Sequence, residues 1–590
     1  MRRRGYLLIA FAGLAGIAGA FALTRRAGAR PTARTIVLVT FDTLRRDYVG
    51  AYGLPAGTGL TPRLDAFAST AVRFDDARTP VPLTLPAHAT MFSGLPPALH
   101  GARTNTASRI PGPANRSFRL LAERFTEVGR CCGAFVSAEP LSPRYGLTQG
   151  FSVYDAEGVA GGAGGTTYLR RAGTETVTRA LAWLRARPAD ESVFLWVHLF
   201  DAHEPHAIDY RTDVSAADRA FGLLLDNLPP GRSDATVLAT ADHGEALGDL
   251  LEPSHGFLLG ESVLRIPMFL RSAGLEAGVR TDPVDLADVA PTLLSLGGVT
   301  PPPPSDVPGT GRDLGSGPTP TDRARVAESL HGYHQHRWAQ LSAAIVGPWK
   351  FEDRGTGRTR IQRLDAPDAA SSDGGPADGA PVLVSLADAL RSYRRLEDRR
   401  PTAPGDAPGG YGSGGVVGFF LEPDANGRLP DPYSVITDDG RLQATVRLLA
   451  LTVDPPRARL EAALRDLDRS LGTRDAGDPA LAFWRARLLR GLGQHEDAVT
   501  AFDRAISLGG PNAEADLMAA RSERALGRNE AALLRVERGR QAHRADDRHE
   551  REAAEALRAL HRDAEADAAA LEAKRIEAAK REPIPLAPCR

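Results

Sequence analysis

Cysteine is scarce in this chain: three residues among 590. Two of them, Cys131 and Cys132, are adjacent in a G-R-C-C-G-A-F-V stretch that reads as a buried strand, and Cys589 sits in a terminal tail. Neighbouring cysteines rarely bridge each other, so no disulfide framework is expected, and cysteine usage leaves the compartment open. An excess of either charge is also lacking. The 72 Lys and Arg stand against 73 Asp and Glu, a net −1 with His neutral. Nucleic-acid binding normally leaves a basic footprint, so no nucleic-acid partner is expected. No compositional extreme is present: 42% apolar and 25% charged residues exclude a wholly disordered or wholly membrane-embedded protein.

What the chain does have begins at its N-terminus. Arg2, Arg3 and Arg4 precede an uncharged run of 20 residues, Gly5 to Thr24, followed by Arg25 and Arg26. A run of that length suits a helix crossing a hydrocarbon core of roughly 30 Å, so residues 1–27 read as a membrane anchor. Ala18-Gly19-Ala20 allows a second reading, a cleaved secretory signal. Arginines on both flanks leave the orientation open. The expectation is a single-pass membrane protein with its catalytic part outside the cytoplasm, or a protein secreted after signal cleavage.

The length calls for one large domain and at least one smaller one. From 34 to 352, strand-length apolar runs alternate with helical stretches, the pattern of an α/β fold with a mostly parallel sheet. Pro301 to Pro320 reads as a surface loop. Residues 353–443 are rich in Gly and Pro and read as a linker together with the end of the first domain, with Asp365–Ala380 and Pro401–Gly415 as flexible pieces. Beyond Ala444 the pattern is helical. Gly493 and Gly527, and Ala498 and Ala532, are each 34 residues apart, so 444–545 resembles tetratricopeptide repeats, a candidate surface for a protein partner. Within 546–590, Asp547 to Arg581 reads as one charged, solvated helix.

Three strands run straight into chemistry-bearing residues. Thr35–Phe41 ends at Asp42, Ser192–Leu199 at Asp201 and His203, and Thr236–Ala241 at Asp242, His243 and Glu245. Open α/β sheets bind ligands beyond the carboxyl ends of their strands, so the three clusters can converge on one site. Two carboxylates and an imidazole suit a single divalent ion, Ca, Mn, Mg or Zn. Taken singly, Asp42 can also be a cap and Asp242-His243-Gly244 a turn.

The motifs V-L-V-T-F-D-T-L-R-R-D-Y-V-G-A-Y-G, T-P-R-L-D-A-F-A, T-L-P-A-H-A-T-M-F-S-G-L-P-P-A-L-H-G, T-A-D-H-G-E-A-L-G and L-R-I-P-M follow one another between Thr35 and Phe351. In content and order they resemble the sulfatase family. The resemblance implies an alkaline-phosphatase-like αβα sandwich with a divalent metal beneath a nucleophile. It implies that Asp42, Asp242 and His243 are metal ligands, that His203 and His255 line the oxyanion pocket, and that Arg46 and His88 stand at substrate-binding positions.

The sequence departs from that family at the nucleophile. Sulfatases carry C-x-P-x-R or S-x-P-x-R, whose first residue becomes formylglycine; here the motif is Thr84-Leu85-Pro86-Ala87-His88. Oxidising the secondary alcohol of Thr gives a ketone, so no formylglycine forms. The family's G-K-W-H segment is replaced by Gly133-Ala134-Phe135-Val136-Ser137-Ala138. Relatives in the same superfamily use Thr for phosphate transfer, and Thr84 precedes a helical stretch whose amides attract an anion. Thr84 as nucleophile, with His203 or His255 assisting the departing or entering oxygen, is therefore the expected catalytic set. The substrate is an anionic ester, sulfate or phosphate. Thr84 as a mere helix cap, and His203 and His255 as loop residues, stay open. His331, His334 and His336 read as surface-loop histidines, and His100 as structural. The other function class is a degenerate enzyme serving as a membrane-tethered interaction module.

Overall fold

The computed structural model describes residues 32–398, except 54–58, 106–107, 158, 160–170, 204–209, 248, 253, 337, 357, 366–371 and 374–380. It also describes isolated positions between 457 and 468, and 479–581 except 510–512 and 543–546. The anchor at 1–27 and the Pro401–Gly415 linker lie outside the described residues. No helix among the described residues is long and apolar enough to cross a membrane.

The central sheet contains β1 (Thr35–Phe41), β2 (Val72–Phe74), β3 (Cys131–Phe135), β4 (Val153–Asp155), β5 (Val193–Leu199), β6 (Thr236–Ala241), β7 (Met268–Arg271) and β8 (Gly278–Arg280). Their order across the sheet is β4-β3-β5-β1-β6-β7-β2-β8. All neighbours are parallel except at β7, which runs antiparallel to β6 and β2. Every residue of β1, β5 and β6 is buried. That is why their sequences are nearly continuous apolar runs, as in parallel strands covered on both faces.

The register decides what the site contains. Thr40 of β1 lies opposite His198 of β5 and Thr240 of β6. Side chains alternate between faces, so Thr40, Asp42, Trp196, His198, Thr240 and Asp242 share one face. Helix α1 (Thr84–Ser93) covers it, with the rings of His88 and Trp196 5.3 Å apart. Helices α2 (Gly173–Arg185) and α3 (Tyr210–Asp226) cover the opposite face, where Trp183 meets Phe135 at 6.1 Å and Phe221 meets Phe41 at 5.7 Å. The result is a three-layer α/β unit.

A second, antiparallel sheet follows: β9 (Arg325–Ser329), β10 (Leu341–Val346), β11 (Trp349–Asp353), β12 (Thr359–Arg363) and β13 (Ser372–Asp373). Helix α4 (Pro381–Asp398) buries Leu386 and Leu390 against Ala344 and Val346 of β10. Its Tyr393 hydroxyl donates to Glu328 at 2.7 Å. Regular structure therefore extends well past 352, into a stretch whose Gly and Pro content reads as linker.

The C-terminal helices α5 to α10 are Pro479–Gly491, His495–Gly509, Ala513–Ala525, Asn529–Ala542, Asp547–Ala559 and Asp563–Arg581. They form three hairpins in which Pro479, Ala513 and Asp547 open the first helices and His495, Asn529 and Asp563 the second, each 34 residues after the last. The turns hold a left-handed residue at the same spacing: Gly493 (φ 76°), Gly527 (77°) and His561 (58°). The expected single helix from Asp547 to Arg581 is thus a hairpin, with Ala554, Leu557 and Ala566 buried. No glycine marks its turn, so composition concealed the break. The expectation of no disulfide is also corrected: Cys131 is disulfide-bonded and Cys132 is the free, buried thiol. Adjacency argued only against a bridge between these two.

Candidate active site

The sheet ladder carries the chain directly into the site. The Asp42 amide donates to the Leu199 carbonyl (2.9 Å) and the Asp242 amide to that of Phe41 (3.1 Å), so both carboxylates leave adjacent strands side by side. Thr43 then adopts a positive φ of 53°, an uncommon conformation for a β-branched residue that needs support from its surroundings. Its amide donates to Asp242 Oδ1 (3.2 Å), and its carbonyl accepts from the Tyr210 hydroxyl (2.7 Å).

Asp242 Oδ1 also accepts from the His243 amide at 2.8 Å, whereas Asp242 Oδ2 has no hydrogen-bond partner. His243 donates from Nδ1 to the Gly244 carbonyl (3.0 Å), which leaves Nε2 as a lone pair. That nitrogen lies 3.5 Å from Asp242 Oδ2 and 3.9 Å from Asp42 Oδ1. Asp42 Oδ1, Asp242 Oδ2 and His243 Nε2 are all buried without a hydrogen bond. Three orphaned donor atoms facing one point, two of them carboxylate oxygens, fit one divalent cation. Burial drives the Asp42 carboxyl up to about 7, with Glu245 adding to it and His255 opposing. Burial and then Asp42 raise Asp242 well above the carboxylate range. His243 is held far below its ordinary value, chiefly by burial.

Thr84 is the first residue of α1, with Oγ1 3.4 Å from Asp42 Oδ2. The Leu85 amide at the same helix end donates to Asn105 Oδ1 (2.9 Å), a residue absent from the sequence reading. His255 accompanies the cluster: its Nδ1 lies 3.2 Å from Glu245 Oε1, and its ring is 4.5 Å from that of His243 and 5.2 Å from that of His203. His203 in turn stacks on Phe200 at 4.3 Å. The structure thus gathers Asp42, Thr84, His203, Asp242, His243 and His255, and adds Glu245 as the group that orients His255.

Two expected residues are placed elsewhere. His88 is fully buried and both its ring nitrogens are engaged, Nδ1 with the Thr84 carbonyl (2.8 Å) and Nε2 with Thr40 Oγ1 (3.1 Å). It braces the helix that carries Thr84, and no ring nitrogen remains to meet a substrate. Arg46 lies over the Tyr52 ring at 4.3 Å and 3.9 Å from Asp75, toward the β2 side of the sheet. Its neighbour Arg45 holds the loop after Asp242 through the Glu245 and Ala246 carbonyls, at 3.2 and 3.1 Å. Asp201 caps α2 by accepting from the Gly173 amide (3.1 Å). His331 opens the helix His331–His336 rather than lying in a loop, and its half-buried ring lies against Phe257 at 4.5 Å. His100 is structural as expected, bonded to Thr90 and the Ala102 amide.

Gly244 shows how tightly the site is packed, since a Cβ there would sit 1.9 Å from the Ser262 carbonyl oxygen. Gly244→Ala is expected to destabilise by on the order of 3 kcal/mol, the upper part of the range for overpacking. Thermal unfolding checks this, and an unchanged Tm would contradict it.

Residues 34–299 match the family model described as Sulfatase. Choline-sulfatase of Rhizobium meliloti is 32% identical over 94 residues, 15% of this chain and 18% of that protein, so the match spans under a fifth of the relative's length. Among solved structures, the yidJ protein of Bacteroides fragilis is 15% identical, with a TM-score of 0.51 over 63% of this chain and 98% of that one. A second, solved with its substrate D-glucosamine-2-N,6-O-disulfate, is 16% identical, with a TM-score of 0.50 over 63% of this chain and 99% of the other. At such identities the likeness carries the fold alone, an α/β fold with a mostly parallel central sheet; the C-terminal helical region is a further part of this chain.

Proposed function

We propose that this chain is a metal-dependent hydrolase or transferase of anionic esters on the sulfatase pattern, with Thr84 as nucleophile in place of formylglycine. The observation that carries the reading is the convergence of three orphaned donor atoms, on Asp42, Asp242 and His243, beside the Thr84 hydroxyl. A degenerate scaffold would have no reason to keep such atoms buried and unsatisfied.

One divalent ion held by Asp42, Asp242 and His243 would supply positive charge to the ester oxygens and favour ionisation of the hydroxyl. Thr84 Oγ1 attacks the sulfur or phosphorus atom and gives its proton to Asp42 Oδ2, 3.4 Å away. The bond to the alcohol oxygen breaks, and His255, oriented by Glu245, protonates the departing alkoxide. Water or an acceptor alcohol then attacks the same sulfur or phosphorus atom and gives its proton to His255, while the bond to Thr84 Oγ1 breaks and Thr84 takes its proton back from Asp42 Oδ2. The charge count narrows the substrate. Two carboxylates balance one divalent ion, Glu245 balances a protonated His255, and His88 and His243 are held neutral by burial. Such a site favours monoanionic esters, sulfate monoesters or phosphodiesters, over dianionic phosphate monoesters. Rates on aryl sulfate, bis-aryl phosphate and aryl phosphate test this, and fastest turnover of the dianion would sink it.

Metal binding and pH are linked. The raised carboxyls favour the protonated form, so their contribution to stability is full below about 3.8 and is lost as pH climbs through about 7 for Asp42. A divalent ion requires them ionised. The rise in Tm on adding metal to chelator-treated protein is therefore expected to be larger at pH 8 than at pH 5.5; equal shifts would contradict the ligand set.

The 34-residue spacing of the helix starts supports a tetratricopeptide-like reading of the C-terminal hairpins as a protein-docking region. Gly5–Thr24 is read as the anchor that places the catalytic unit outside the cytoplasm, and a disulfide at Cys131 suits an oxidising compartment.

A further inference from the structure

His198 is a chemically capable side chain beside the carboxylates that the reaction above leaves unused. It is fully buried on β5, and neither ring nitrogen has a hydrogen-bond partner. Its Nε2 nevertheless lies 3.3 Å from Asp42 Oδ2. The register explains the approach: His198 stands opposite Thr40, and Asp42 follows two residues later on the same face.

Besides Asp42, the acceptor near His198 is the Asp242 carboxylate, within 4.8 Å; the other polar groups beside it are already paired. Trp196 donates to Thr40 Oγ1 (3.0 Å), Thr40 donates to His88 Nε2 (3.1 Å), and His88 donates to the Thr84 carbonyl (2.8 Å), so that chain is saturated. The two oxygens of Asp42 also face different ways. Oδ1 is turned toward His243, 3.9 Å off, while Oδ2 is turned toward His198 and Thr84.

We propose that His198 is a positioning residue for the metal centre, its Nε2–H donating to Asp42 Oδ2 so that Oδ1 stays directed at the point shared with Asp242 and His243. Ligating carboxylates are commonly fixed through their second oxygen in this way, and loss of such a partner costs roughly 10–100-fold in metal affinity. The same bond keeps Oδ2 beside the Thr84 hydroxyl. This inference rests on the metal reading above.

The test is a thermal titration of chelator-treated full-length protein with Zn2+, Mn2+ and Ca2+, for wild type, His198→Phe and His198→Gln. Phe removes the donor at similar volume, whereas Gln restores an N–H near the position of Nε2. His198→Phe is expected to need roughly 10–100-fold more metal for the same rise in Tm, with its chelated Tm no lower than wild type, and His198→Gln to recover most of the affinity. Wild-type affinity in His198→Phe would overturn the inference and leave the metal site standing. A fall in chelated Tm for His198→Phe, with no rescue by Gln, would assign His198 a packing role and also overturn it. No metal response in wild type would overturn the metal reading and this inference together.

Discussion

Thr84→Ala is expected to lower turnover of any ester substrate by about a thousandfold or more, the scale seen when a nucleophile is removed from an otherwise intact site. Thr84 contributes one hydroxyl to the cluster, and its bond to Asp42 Oδ2 is long at 3.4 Å. Losing it takes away the attacking atom and leaves Asp42 Oδ1, Asp242 Oδ2 and His243 Nε2 as they are. The variant's metal-induced rise in Tm is therefore expected to match wild type. Thr84→Ser keeps a hydroxyl and is expected to retain activity. Near-wild-type turnover in Thr84→Ala would show that some other group attacks, and the nucleophile assignment would fall.

Asp242→Asn is expected to have a comparably large effect through a different route. Asp242 Oδ1 holds the Thr43 and His243 amides, a task an amide oxygen can also perform, so the strained turn at Thr43 should survive. What disappears is the charge at Oδ2. Without metal, that charge is the costly feature of the site, because burial and the facing Asp42 both oppose it. Chelator-treated Asp242→Asn should thus melt no lower than chelator-treated wild type at pH 8, while losing most of its response to divalent ions and its turnover. A lower Tm in the absence of metal would mean that the carboxylate is there for the fold.

Much of the candidate site was legible from the sequence because strand ends are visible as apolar runs that stop at Asp or His. Asp42, His203, Asp242 and His243 all carry that signal, and Thr84 and His255 came with the motif order. His198 was missed because it lies inside such a run, V-F-L-W-V-H-L, where a polar residue reads as part of the strand. Counting alternate residues from Asp42 back to Thr40, and across to its partner on β5, would have found it. His88 was assigned to the substrate from its motif position, but sequence spacing does not reveal that its ring turns inward to Thr40 and the Thr84 carbonyl. The hairpin at Leu560–Arg562 was lost for a similar reason. The repeat spacing pointed to residue 561, yet the residue there is His where Gly493 and Gly527 stand in the other turns. The last two strands of the second sheet and α4 fall within 353–443, read as a linker together with the end of the first domain, because the Gly and Pro of that segment mask the strand and helix pattern.

The most direct test of the central claim is turnover of an aryl sulfate and a bis-aryl phosphate by the purified protein before chelation, after chelation, and after return of Mn2+, Zn2+ or Ca2+. The account predicts activity on at least one of the two, lost on chelation, restored by a divalent ion and absent from Thr84→Ala. Activity that survives chelation, or persists in Thr84→Ala, would contradict it.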